Sequence, residues 1–283
     1  VAPGGHLRLE GDTVDRMRRR ALLLGLASAA VTLTGCTPQP VTATPTITPT
    51  PTPTATPPPP PRPTPSITAA AAPVRVRVPL PEGTITELPG DGNLLAWTVD
   101  DGSDTEVVAA YAQFAKDTGT RLTFFLNGQY DSWTVNAPAL APLVESGQVQ
   151  LANHTWSHAD LTTLSTEGIQ EELGRNGDFI RATYGVEAAP FYRPPFGYTD
   201  PASRAAAAGI GYTATTLWYG SLSDSGRITP EQVLDFADQW FLPQHVVIGH
   251  ANFDPVTQVY AQLVDILRSR SLETVTLRDV FAV

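Results

Sequence analysis

From Leu94 onward, short unbroken apolar runs alternate with longer stretches of helical period. Leu94-Leu95-Ala96-Trp97-Thr98-Val99 shows no in–out alternation, the pattern of a strand covered on both faces. Comparable runs stand at 121–126, 149–153, 191–193, 212–217 and 246–249, with a shorter one at 274–276. Ser103 and Glu106 have capping-box spacing ahead of Val107, Val108, Tyr111 and Phe114, and Gly119 closes that predicted helix. Asp200-Pro201 supplies an N-cap and first helical residue for a helix at 201–208. Thr229-Pro230, with Gln232 at the box position, does the same for one reaching Gln239. Pro255 is expected to open a last long helix through Arg268, with Val259, Leu263, Ile266 and Leu267 on its buried face. This alternation predicts an α/β domain with a mainly parallel sheet, open or closed into a barrel.

The first third of the chain has a different character. Met17-Arg18-Arg19-Arg20 precedes a short apolar stretch, 21–34, the layout of an export signal that is too short for a bilayer span. Residues 1–16 are read as lying upstream of the true start. Leu33-Thr34-Gly35-Cys36 matches a lipobox, and Cys36 is the single cysteine of the 283-residue chain, so no internal disulfide is possible. Residues 17–36 are therefore expected to be a lipoprotein signal with Cys36 as the lipidated residue. The arginines leave the export route, general or twin-arginine, open. Residues 37–73 hold about half of the 27 prolines, alternating with threonine. Such a segment cannot build a core and favours polyproline II; at about 3.1 Å per residue it can reach on the order of 100 Å. The expectation is a membrane-tethered stalk carrying a domain at 74–283.

The net charge is −10, and because the first 36 residues are net basic the remainder is more acidic still. That excludes nucleic acid as an expected partner. It narrows the function no further.

The polar residues at strand ends carry the chemistry. Asp100 and Asp101 follow the first run, His154 the third, Arg193 ends the fourth, Trp218 follows the fifth and His250 the sixth. In a parallel barrel, carboxyl ends share one face, where active sites lie. Adjacent carboxylates repel and cost desolvation, which suggests a metal, a proton-transfer task, or both. His154 and His158, at i and i+4, would share one side of a helical turn. With one aspartate they make a three-ligand set suited to zinc or another divalent transition metal, leaving positions for water and substrate.

These residues also resemble a family. Thr98-Val99-Asp100-Asp101-Gly102 is similar to the TFDDG block of polysaccharide deacetylases, carbohydrate esterase family 4 with its NodB-homology domain. Asn153-His154-Thr155-Trp156-Ser157-His158 resembles the HTxxH block, and Arg193-Pro194-Pro195-Phe196-Gly197 the RPPYG block. Trp218 with Asp224, and Ile248-Gly249-His250, resemble the last two, in the family's order. Thr123 to Gly128 resembles its second strand.

The resemblance implies a distorted (β/α) barrel of NodB-like deacetylase fold. It implies Asp101, His154 and His158 as metal ligands, with zinc first among the candidates. Asp100 would be the general base toward water, oriented and held ionised by Arg193. His250 would be the general acid for the departing amine, oriented by Asp224. The N–H of Phe196 would assist the oxyanion, and Leu217 and Trp218 would line the acetyl pocket. Three residues depart from the pattern: Val99 for phenylalanine, Ser225 for a frequent tryptophan, and Gly249 for a larger apolar residue. The last two are expected near the substrate pocket. The implied function is removal of N-acetyl groups from an extracytoplasmic N-acetylglucosamine polymer such as peptidoglycan or a chitin-like glycan. The enzyme would act as a monomer, lipid-anchored to a bacterial membrane. Alternatives are an O-acetyl esterase on xylan or another glycan, and a non-catalytic glycan-binding envelope lipoprotein.

Overall fold

The computed structural model describes residues 76–283. The readings at 1–16, 17–36 with Cys36, and 37–73 lie outside the described residues. In chain order the elements are β1 (Val78–Pro79), β2 (Leu94–Asp101), α1 (Thr105–Thr118), β3 (Leu122–Leu126), α2 (Ser132–Val135), α3 (Ala137–Glu145) and β4 (Val149–Asn153). There follow α4 (Thr166–Tyr184), β5 (Phe191–Tyr192), α5 (Pro201–Ala208), β6 (Ala214–Thr215), β7 (Gly220–Ser221), α6 (Pro230–Trp240) and β8 (Val246–His250). The chain ends with α7 (Tyr260–Ser269), β9 (Glu273–Thr274), α8 (Leu277–Val280) and β10 (Phe281–Ala282). No helix among the described residues is long and apolar enough to cross a membrane.

The main sheet runs β6-β5-β4-β3-β2-β8-β7, with β9 also paired to β2 and every ladder parallel. It curls into an incomplete barrel. The edge strands β6 and β7 do not pair with each other; residues 85–87 run between them, bridging Thr216 on one side and His245 on the other. The predicted α/β fold with a distorted, mainly parallel barrel is thus present.

Strand β2 explains why the opening run reads as uniformly apolar. Leu95, Trp97 and Val99 face the layer of helices, joining Tyr111, Phe114, Phe124, Phe241 and Leu263 in the larger core. Ala96 points the other way, into a smaller core inside the barrel with Phe125, Ala152, Phe191, Val246 and Phe281. Neither face meets water, so the alternation of a half-exposed strand disappears. Trp97 anchors the outer layer against Phe114 and Phe241, with ring centroids 5.5 and 5.1 Å away.

Several local expectations need correction. The first helix is capped by Asp104, not Ser103: its side chain accepts from the N–H groups of Glu106 and Val107. Ser103 instead donates to Asn252. Pro255 opens a 3₁₀ turn, Asp254–Gln258, and the last helix starts separately at Tyr260. Leu263 and Leu267 are buried on it, while Ile266 is half-buried. The box of Thr229 with Gln232 forms as expected, and Asp200 forms one with Ser203.

Candidate active site

The carboxyl ends of the central strands meet in a cleft of about 520 Å³ whose lining includes Asp100, Asp101, His154, His158, Trp218 and His250. Sheet order assigns the neighbours. Arg193 follows β5, the two histidines follow β4, the aspartates end β2, His250 ends β8, and Asp224 follows β7.

The two aspartates lie inside β2 rather than beyond it. Consecutive strand residues should point to opposite faces. Asp100 follows Ala96 and Thr98 toward the barrel interior, where it meets Arg193. Asp101 would then face away, but its φ of 70° turns it back to the same mouth. Both carboxylates consequently reach His154: Nε2 lies 3.5 Å from Asp100 Oδ2 and 3.3 Å from Asp101 Oδ1. A left-handed aspartate is costly unless its surroundings enforce it. Here Trp133 Nε1 donates to the Asp101 carbonyl at 3.0 Å, and Ser132 Oγ to that of Gly102. Gly102 has φ 97°, and a Cβ on it would lie 2.4 Å from the buried Trp133 ring. Gly102→Ala is therefore expected to cost about 2–5 kcal/mol through strained backbone and overpacking, read as a lower urea midpoint at unchanged slope.

His154 and His158 do not share a helical turn. They sit in an irregular loop in which Thr155 and His158 have φ near 69° and 61°. The loop is shaped by hydrogen bonds instead. Asn127 Nδ2 donates to the carbonyls of His154 and Thr155. Thr155 Oγ1 accepts from the His158 N–H at 3.0 Å, and Asn153 Oδ1 from that of Thr155 at 2.9 Å. Asn176, from α4, ties Asn153 to β3 by donating to Asn153 Oδ1 and the Leu126 carbonyl.

One ligand atom each from Asp101, His154 and His158 falls within 4.8 Å of the others. Three observations fit a cation there. Asp101 Oδ1 is buried with no hydrogen-bond partner. His158 Nε2 lies 3.4 Å from that same oxygen. His154 Nδ1 stands 2.7 Å from the Arg193 carbonyl, which can only accept, so the neutral ring carries its proton on Nδ1 and presents a lone pair at Nε2. Burial alone would raise the Asp101 pKa, but the close approach of His154 when it is charged, with His250 and His158, holds it well below the usual carboxylate range. Burial pushes His158 down, helped by the charge of His154. Burial also opposes protonation of His154, but Asp100 and Asp101 outweigh it and raise its pKa.

Arg193 is fully buried and ties the barrel interior together. Nη1 donates to Asp100 Oδ1 at 2.5 Å and to Thr98 Oγ1 at 2.9 Å; Nε and Nη2 donate to the carbonyls of Thr216 and Leu217. The guanidinium also lies 4.1 Å from the centre of the Phe125 ring. Burial lowers its pKa, and the Asp100 charge opposes that.

His250 pairs in register with Asp100 across the β2–β8 ladder. Its Nδ1 is 2.9 Å from Asp224 Oδ1, and its backbone N–H donates to Asp224 Oδ2 at 3.2 Å. Burial disfavours the charged ring, but the hydrogen bond and charge of Asp224, with Asp100 and Asp101 behind, raise its pKa.

The pocket residues divide. Phe196 has φ 61° and is exposed, its ring edge-on to His158 at 4.6 Å; Trp218 also lines the cleft. Leu217 does not line it; its carbonyl serves Arg193. Ser225 lines the cleft, whereas Gly249 does not. A Cβ at Gly249 would crowd Leu222 at 3.1 Å and come into ordinary contact with Asp224 Oδ2 at 3.4 Å. Asn252 was not singled out by its type or spacing. It donates to Asp101 Oδ2 at 2.6 Å and accepts from Ser103, and its one sequence signal is its place two residues after His250. Tyr130 is a second lining residue without a sequence signal.

Residues 88–215 match the polysaccharide deacetylase family model. The matched span takes in Asp100, Asp101, His154, His158, Arg193 and Phe196 and stops short of Trp218, Asp224 and His250. The chain is similar to chitin deacetylase 1 of Cryptococcus neoformans, at 30% identity over 183 residues. That alignment covers 64% of this chain and 36% of the relative, so the chain spans about a third of its length. A family 4 carbohydrate esterase pseudoenzyme from Bacillus anthracis has the same fold, with TM-score 0.63 at 18% identity over 71% of this chain and 69% of that one. So has a peptidoglycan N-acetylglucosamine deacetylase, with TM-score 0.62 at 19% identity over 70% of this chain and 92% of that one. The family model thus matches the stretch that carries six of the site residues, and the solved structures share the fold.

Proposed function

We propose that the cleft removes acetyl groups from an acetylated polysaccharide by hydrolysis, with a divalent metal, zinc first among the candidates, held by Asp101, His154 and His158. The observation that carries this reading is a proton-accepting and a proton-donating pair built on either side of the three-ligand cluster. Asp100 is held by Arg193, and His250 by Asp224.

A bound divalent metal polarises the acetyl carbonyl and lowers the pKa of water. The protein's own groups then divide the proton transfers. Arg193 occupies Asp100 Oδ1 and leaves Oδ2 toward the cleft, positioned to take a proton from the attacking water. The Phe196 N–H supports the oxygen that gains charge. Asp224 holds His250 through Nδ1, so Nε2 presents its proton to the departing nitrogen. An amine anion is a very poor leaving group, so amide cleavage needs this acid; an alkoxide leaving from an acetyl ester needs it less. A histidine in a fixed carboxylate pair therefore suits an N-acetyl substrate, while an O-acetyl esterase uses the same kind of site. The pair also favours an enzyme over a glycan-binding module, which has no use for a proton-transfer pair.

The pH dependence follows in sign. His250 must be protonated to act, and Asp224 keeps it so to higher pH. Asp224→Asn should move the alkaline limb of kcat/KM to lower pH and lower the maximum on the order of 10- to 10²-fold, a loss seen in pH–rate profiles. A limb that stays in place would remove Asp224 from the scheme.

The substrate class is tested by acetate release from N-acetyl chito-oligosaccharides, peptidoglycan fragments and acetylated xylan. Release from the first two but not xylan supports an N-acetylglucosamine polymer; xylan alone supports the esterase. No release from any of them by metal-loaded protein overturns the enzyme reading. The export signal, Cys36 and Pro/Thr-rich stretch read in the sequence support a lipid-anchored, extracytoplasmic placing. Loss of radiolabelled lipid and of membrane fractionation in Cys36→Ser is the expected result.

A further inference from the structure

We propose a second site, at the opposite end of the barrel from the cleft, that binds a phosphate group through Arg77, Arg278 and the side-chain amide of Gln150. A cavity of about 490 Å³ opens there, at the amino ends of β3 and β4.

Gln150 supplies the decisive observation. It lines this cavity and is only 4% exposed. Its Oε1 accepts from the Arg278 backbone N–H at 2.8 Å and from Thr123 Oγ1 at 3.4 Å. A backbone N–H can only donate, so the amide cannot be turned over. Its Nε2 is thereby fixed as a buried donor, and it has no partner. A buried, unmet donor of this kind costs stability unless something in the cavity accepts from it.

The charges around it are unbalanced in the same sense. Arg121 is matched: it grips Asp279 with two hydrogen bonds of 2.7 and 2.8 Å. The carboxylate of Glu187, the other acid on the lining, is held by Arg181 through both oxygens. Among the described residues, no carboxylate forms an ion pair with Arg77 or Arg278. Arg278 uses one terminal nitrogen on the carbonyls of Glu187 and Ala189, keeping its other donors free. Burial, and after it the like charge of Arg77, lowers the Arg278 pKa, with the charge of Glu187 opposing them. Two neighbouring guanidinium groups and an unmet amide donor, with the local acids already committed, describe a receptor for an oxyanion.

The donors reach the cavity from three separate places in the chain: ahead of β1, within β4 and within α8. A carboxylate offers two oxygens in one plane, suited to a single guanidinium fork. A tetrahedral phosphate offers three oxygens in different directions, which matches three independent donors better. The volume exceeds that of a bare ion, leaving room for the body of a phosphoester, and Val144, Leu151 and Val186 form an apolar wall for it. The phosphate could come from solution, from a phosphodiester polymer or from a lipid headgroup, all of which present the same chemistry.

The test is titration calorimetry of the full chain with inorganic phosphate at constant ionic strength, with acetate as the carboxylate control. Saturable phosphate binding is expected, weakened at least fivefold in Arg77→Ala and in Gln150→Leu, with acetate release from glycan unchanged in both. Arg77 is exposed, so its variant reports on binding even where the Gln150 variant folds poorly. Sedimentation with phosphatidylglycerol against phosphatidylcholine vesicles separates the sources. Arg77-dependent pelleting supports a headgroup ligand; phosphate binding without pelleting supports a soluble or polymer phosphate. Absence of saturable phosphate binding, binding in both variants as tight as in the unaltered protein, or acetate binding as tightly as phosphate overturns the proposal.

Discussion

Asp100→Asn is expected to lower acetate release about 10²- to 10⁴-fold while leaving the metal content of the purified protein unchanged. The asparagine keeps the size and the contact with Arg193 but cannot accept a proton from water at neutral pH. The proposed metal ligands are Asp101, His154 and His158, and this variant leaves all three intact. Asp101→Asn is expected to do the reverse and lose the metal first. Metal analysis beside kinetics separates the two aspartates. Loss of metal in the Asp100 variant, with retention in the Asp101 variant, would mean their tasks are exchanged.

Arg193→Met should be the most destabilising single change in the site, by about 3–5 kcal/mol. It leaves the Asp100 carboxylate buried without its partner and strands the carbonyls of Thr216 and Leu217, which Arg193 satisfies at 3.2 and 2.9 Å. The double variant Arg193→Met/Asp100→Leu should recover much of that loss, because a buried ion pair replaced whole by apolar groups is often near neutral. It should remain inactive. Urea unfolding of the two variants measures the difference. Equal destabilisation in both would show that the carbonyl contacts, not the charge pair, hold this part of the barrel.

What could be read from the sequence follows from burial. Strands covered on both faces leave continuous apolar runs, so β4 was predicted to the residue and β2, β3 and β8 to within two. The short strands β1, β7 and β10 have two residues each and no periodicity to detect, and the run at 274–276 overlaps β9 at Thr274 alone. Histidine spacing suggested a helical turn, but positive φ at Thr155 and His158, enforced by Asn127 and Asn153, makes the same approach from a loop. No spacing rule encodes that geometry. Nor could alternation along β2 reveal that Asp101 turns back beside Asp100, since this depends on Trp133 and Ser132 from a distant helix. The candidate residues were visible as types at strand ends. Asn252 was not, because an asparagine in a loop reads as turn chemistry until its contact with Asp101 is seen.

The division of labour within the cleft has a consequence for specificity. Gly249 packs beside the acid pair, His250 with Asp224: a Cβ there would crowd Leu222 at 3.1 Å and touch Asp224 Oδ2 at 3.4 Å. Under the proposed function, the exposed Phe196 and the cleft residue Ser225 are the places to alter glycan preference.

The most direct measurement is acetate release from N-acetyl chito-oligosaccharides by one preparation carried through chelation, dialysis and reconstitution with zinc. The expected result is loss of release on chelation and its return with about one zinc per chain. Release that survives complete removal of metal would contradict the assignment of Asp101, His154 and His158 as the centre of the reaction.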